Sequence, residues 1–143
     1  MAIITIPTSG VVQSLFTELT TNASTTAVDP TFSTLLTQDI TTEGGNLTIN
    51  FTAAFGSFGT ISTEIAEFRI LLDGTLQRSC GVSARGTVSR NTSIIFQVSA
   101  AQGLHTITIQ WAKRSNASGT LFVRPVSFPN IEHASLLVQE VLI

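Results

Sequence analysis

Charge is scarce in this sequence. Asp, Glu, Lys and Arg make up 11% of its 143 residues, and Lys113 is its single lysine. Phosphate binding needs clustered basic side chains, and the nearest approach to a cluster, Arg78, Arg85 and Arg90, reads as solvated loop arginines in a chain of net charge −2. No nucleic-acid partner is expected. No apolar run approaches the roughly 18 residues of a membrane-crossing helix. The first residues also lack the basic region of a secretory signal, so neither a membrane nor export by that route is expected.

Cysteine, histidine and the stacking aromatics are equally sparse. Cys80 stands alone, which excludes an internal disulfide, and it reads as a small buried hydrophobe with no catalytic partner to set beside it. His105 and His133 have no ligand spacing, so no local zinc set forms and no metal or other cofactor is expected. The nine carboxylates are spread singly, and neither a nucleophile elbow nor a phosphate loop occurs. Low charge added to missing motifs argues against an enzyme. With no tyrosine and one tryptophan, the strands also make a poor sugar-stacking platform. Asn-x-Ser/Thr triplets begin at Asn22, Asn46, Asn50, Asn91 and Asn116, a number expected by chance when about a quarter of the chain is serine or threonine.

What is abundant is alternation. Gly103 to Trp111 places Ile107, Ile109 and Trp111 on one side and Thr106, Thr108 and Gln110 on the other, a half-buried strand. Turn residues at Ala101-Gln102-Gly103 and Ser115 to Gly119 tie it to a strand on either side, which places it centrally in an antiparallel sheet with Trp111, Ile107 and Ile109 in the core. Further strands are expected at Phe32–Ile40, Asn46–Phe55, Ala66–Leu72, Thr75–Ser83, Thr92–Ala100, Thr120–Val126 and Ala134–Ile143. Asp73-Gly74 is the strongest hairpin signal, because the tight turn requires positive φ. The pattern predicts one all-β domain over residues 31–143, an antiparallel β-sandwich of jelly-roll type.

Residues 1–30 read differently. A short apolar stretch containing Ile3, Ile4 and Ile6 is broken at Pro7 and Gly10. Val11, Val12, Leu15, Phe16 and Leu19 then suit either a short amphipathic helix or an irregular packing segment, and a polar run leads to Asp29-Pro30. The segment reads either as an N-terminal strand plus a surface loop or as an arm, and as an arm these eight apolar residues are expected to dock on a neighbouring subunit or an underlying lattice. A mean hydropathy of +0.37 with so little charge predicts apolar surface buried between chains. The apolar end of the chain adds Leu137, Val141 and Ile143 as the expected trimer interface.

Three segments carry a resemblance: Phe68-Arg69-Ile70-Leu71-Leu72-Asp73-Gly74, Gly103-Leu104-His105-Thr106-Ile107-Thr108-Ile109-Gln110-Trp111, and Ala134-Ser135-Leu136-Leu137-Val138-Gln139-Glu140-Val141. Together they resemble β-sandwich proteins of tailed-bacteriophage virions. Those proteins are capsid decoration (cement) proteins and tail-fibre or appendage modules, similar to tumour-necrosis-factor-like and complement C1q-like trimers. The resemblance implies a homotrimer on the virion surface, made in the host cytoplasm, with the major capsid protein as partner. It supplies no catalytic residues.

Overall fold

The computed structural model describes residues 10–58, 65–83, 90–114, 119–126 and 132–142, and every regular element among them is a strand. In chain order these are β1 (Gly10–Glu18), β2 (Ala23–Thr25), β3 (Ser33–Thr42), β4 (Asn46–Phe58), β5 (Ile65–Leu72), β6 (Thr75–Ser83), β7 (Arg90–Ser99), β8 (Gly103–Arg114), β9 (Thr120–Val123) and β10 (His133–Leu142). One sheet runs β1-β10-β4-β9-β2, with β7 also paired to β4; the other runs β3-β8-β5-β6.

Setting aside the short β2 and β9, the eight long strands pair first with last. β1 lies antiparallel to β10, β3 to β8, β4 to β7 and β5 to β6. That nesting is a long hairpin rolled into two sheets, joined laterally by β10–β4 and β8–β5 pairing, which is the jelly roll. The Asp73-Gly74 turn has φ of 51° and 83°, the two positive values that its two-residue connection needs.

Between the sheets lies an apolar layer with aromatic rings at its centre. The Phe68 ring, from β5, is 5.1 Å from that of Phe55 and 5.6 Å from that of Phe51, both on β4, and 6.1 Å from Trp111 beside it on β8. Trp111, Ile107 and Ile109 are buried in that layer. β8 is central in its sheet, but its neighbours are β3 and β5. The strands next to it in sequence, β7 and β9, belong to the opposite sheet.

The expected arm is corrected over its described part. Residues 10–18 are neither helical nor irregular; β1 pairs with β10 from Gly10↔Leu142 to Glu18↔Ser135, broken by one bulge between Val11 and Gln13. Leu15 and Leu19 pack against the core, and β2 joins β9, so no domain boundary falls at residue 31. The physical reason is that β10 needs a partner on the side away from β4, and β1 supplies both the hydrogen bonds and an inward Leu15. Ile3, Ile4, Ile6 and Ile143 lie outside the described residues.

Trp111 is 1% exposed and belongs to the aromatic layer through Phe68, so truncating it removes a large buried ring and leaves a cavity between the sheets. Trp111→Ala should lower the unfolding free energy by about 3–5 kcal/mol, read from urea denaturation; a variant as stable as the parent would refute its central place.

Candidate functional site

Alternation along β10 sends Ala134, Leu136, Val138 and Glu140 into the core and leaves Ser135, Leu137, Gln139 and Val141 on the outer side. Register carries that outer side across four strands. Phe16 on β1 faces Leu137 on β10, Leu137 faces Asn50 on β4, and Asn50 faces Ile95 on β7. Phe16 is 61% exposed and Ile95 64%, while Leu137 is half-buried between its neighbours. Near the bulge, Val11 faces Val141 as a second apolar pair. Two residues expected in the arm, Phe16 and Val11, thus meet two expected at a subunit contact, Leu137 and Val141. Exposed Val12 sits at the bulge itself.

The rows on either side are polar but already paired within the sheet. Gln139 Nε2 donates to Ser14 Oγ at 3.0 Å, Gln97 Nε2 to Thr48 Oγ1 at 3.0 Å, and Ser99 Oγ to Asn46 Oδ1 at 3.2 Å; the Thr52 and Ser135 hydroxyls lie 2.8 Å apart. Glu18 is the one charged residue in these four outward rows. The exception to this pairing is Asn50 Oδ1, shut off from solvent with no hydrogen-bond partner, the one such side-chain atom among the described residues. Leaving such an acceptor unmet costs about 1–3 kcal/mol. Ile95 and Asn50 were not singled out by sequence, although the phase of Ile94-Ile95-Phe96, with Ile94 and Phe96 buried, marks Ile95 as outward.

Elsewhere the acids serve the fold. Glu140 is fully buried; burial pushes its carboxyl up, but Gln13 Nε2 at 2.7 Å and the Glu43 and Gly45 amides at 2.5 and 3.3 Å outweigh it and hold the group below the ordinary range. Gly45 has no space for a side chain there, since a Cβ would lie 2.7 Å from the Val141 carbonyl oxygen. Arg124 grips Glu132 through Nε at 3.2 Å and stacks 3.9 Å over the Phe122 ring. Burial raises Glu67, helped by hydrogen bonding to Asp29 and opposed by Arg114. Among the described residues no three metal-binding side chains gather.

At one end of the sandwich His105 Nδ1 lies 2.7 Å from Asp73 Oδ2 and Nε2 lies 2.6 Å from the Ala101 carbonyl oxygen. Both partners are acceptors, so both ring nitrogens donate, which only the imidazolium can do. The Asp73 bond, then the Ala101 bond, raises His105 above 6.5; the His105 bond, then the Thr106 amide, lowers Asp73 below 3.8.

No protein-family model and no curated protein matches the sequence. Among solved structures, the chain is similar to part of dimeric latent PorU from Porphyromonas gingivalis, at a TM-score of 0.53 and 10% identity over 90% of this chain and 12% of that one. It also resembles VP2 of infectious bursal disease virus in a subviral particle, at 0.49 and 12% identity over 91% and 38% of the two chains. A third likeness is to the carbohydrate-binding module CBM36 in complex with calcium and xylotriose, at 0.36 and 9% identity. The chain spans about an eighth of the first and under two-fifths of the second. At these identities the PorU likeness is one of fold alone.

The His105–Asp73 pair has a definite pH signature. The histidine's contribution is complete below pH 6.5 and is lost as pH rises through its raised native value, whereas the aspartate's is complete above 3.8 and is lost as pH falls through its lowered one. His105→Ala should therefore flatten the decline of melting temperature above pH 6.5 while lowering stability between those limits. An unchanged alkaline decline in the variant would contradict the charged clasp.

Proposed function

We propose that this chain is a virion structural protein, a homotrimeric decoration (cement) protein that clamps neighbouring major capsid subunits from outside the head. The observation that carries the proposal is the outer face of the β1-β10-β4-β7 strands: an apolar row from Phe16 to Ile95 set in an almost uncharged surface on a rigid jelly roll. Self-association into a trimer needs such a face, and neither it nor docking on a capsid needs a reactive group. The three segments resembling tailed-phage virion proteins point the same way.

The mechanism is repetition. Each trimer bridges subunits that internal pressure would otherwise separate, and weak apolar contacts repeated over a lattice add through linkage of many sites. On this reading no catalysis occurs, and neither a nucleic acid nor a membrane is a partner. Ile3, Ile4 and Ile6, with the exposed Val11 and Val12, are proposed to dock on the capsid. The second reading, a receptor-binding or tail-fibre module, self-associates through the same face at a different place on the particle. It is favoured by the same outward Phe16 and Ile95, since a binding module also presents apolar surface.

Electron microscopy of the particle separates the two. A cement protein is expected on the order of hundreds of copies across the head, and a fibre module as a few copies at the tail; absence from purified particles would overturn both. Truncation separates docking from folding. Deleting residues 1–9 should leave a folded protein with weakened add-back to stripped capsids, whereas deletion through Glu18 removes β1 and should abolish folding, both followed by circular dichroism and pelleting. A folded product of the longer deletion would show β1 to be dispensable.

A further inference from the structure

We infer that the outer face centred on Asn50 is closed by a second copy of this chain. The inference rests on the self-association in the reading above and assigns the contact to one face. Three observations carry it.

The first is charge. The outward residues of β10, β4 and β7 include no carboxylate, lysine or arginine, only His133 at the start of β10, and β1 adds only Glu18 at that same end. Such a face has little to offer an acidic or basic partner, but it meets its own copy without strong like-charge repulsion, and in a closed assembly the residues nearest the symmetry axis meet their own copies, around a three-fold as around a two-fold.

The second is hydrogen bonding. The polar side chains beside the apolar row already pair within the sheet, as in Gln139 with Ser14 and Gln97 with Thr48, so covering them breaks few bonds to water. Asn50 Oδ1 is shut off from solvent without a donor, and rotation of its carboxamide toward the surface lets that oxygen accept an N–H from an Asn or Gln side chain of the copy.

The third is size. Four strands about 4.8 Å apart and about seven residues long at 3.3 Å each present roughly 450 Å² in plan. Side-chain relief brings this toward the ~800 Å² that each partner covers in a standard interface.

The test is sedimentation of the full chain with Phe16→Lys, Ile95→Lys and Asn50→Leu, and with Leu104→Lys as a control on the second sheet, where Leu104 is 68% exposed. Phe16→Lys and Ile95→Lys should each weaken association at least tenfold while melting as monomers like the parent, and Leu104→Lys should leave it unchanged. Phe16 and Ile95 are exposed on different strands, so if one variant misfolds the other decides. Asn50→Leu should also weaken association; on a face left open it would raise the melting temperature and leave sedimentation alone. Assembly that survives both lysines and fails with Leu104→Lys overturns this face but not self-association. A parent chain monomeric at tens of micromolar overturns both, and particle copy number still judges the virion reading separately.

Discussion

Phe68 is the contact on which the two sheets depend. It stands on β5, beside Trp111 on β8 in its own sheet, and reaches across to Phe51 and Phe55 on β4 of the other. Each ring pair adds about 0.5–1.5 kcal/mol beyond its buried area. More important is where these residues lie. β4 and β5 are consecutive strands that leave one sheet for the other, so the ring cluster holds the crossover of the roll. Ile49, Ile70, Ile107, Ile109, Leu136 and Val138 then fill the layer on either side of it, all fully buried.

Alternation made the strands legible because most of the long β-strands here have one wetter and one drier face, and a period of two survives in sequence without any knowledge of partners. Ala66–Leu72 and Thr75–Ser83 are recovered within a residue for that reason, with Asp73-Gly74 defining the turn between them. Pairing was not legible. In a jelly roll, β8 takes β3 and β5 as neighbours, more than 60 and about 40 residues back in the chain, and local turn signals carry nothing about contacts so distant. β1 was misread for a related reason. As an edge strand with a bulge at Val12 it buries only one line of side chains, so Val11, Val12 and Phe16 remain outside and the period of two is blurred into a spacing that a helix also fits.

The candidate face was half legible. Leu137 and Val141 attracted notice as apolar residues in a late strand, and Phe16 and Val11 as apolar residues in a supposed arm, yet only the β1–β10 register shows them to be cross-strand pairs. Asn50 carries no sequence signal at all. Its environment depends on Leu137 from one side and Ile95 from the other, which are 87 and 45 positions away along the chain by the register of β4 with β10 and β7.

Glu140 explains how the β1 edge of that face is fixed in place. A carboxylate buried in the sandwich is costly unless every oxygen is met, and here the side chain of Gln13 from β1 and the backbone of Glu43 and Gly45 from the β3–β4 turn meet both. Gln13 also donates to the Thr41 carbonyl at 2.7 Å, so one side chain ties β1 to the acid and to the opposite sheet. The edge strand is therefore held at its bulged end by charge-assisted bonds and along its length by backbone pairing with β10. With β1 anchored from both directions, Phe16 and Val11 are presented on a fixed surface beside Leu137 and Val141. Ordering them against a partner then costs little beyond their own rotamers.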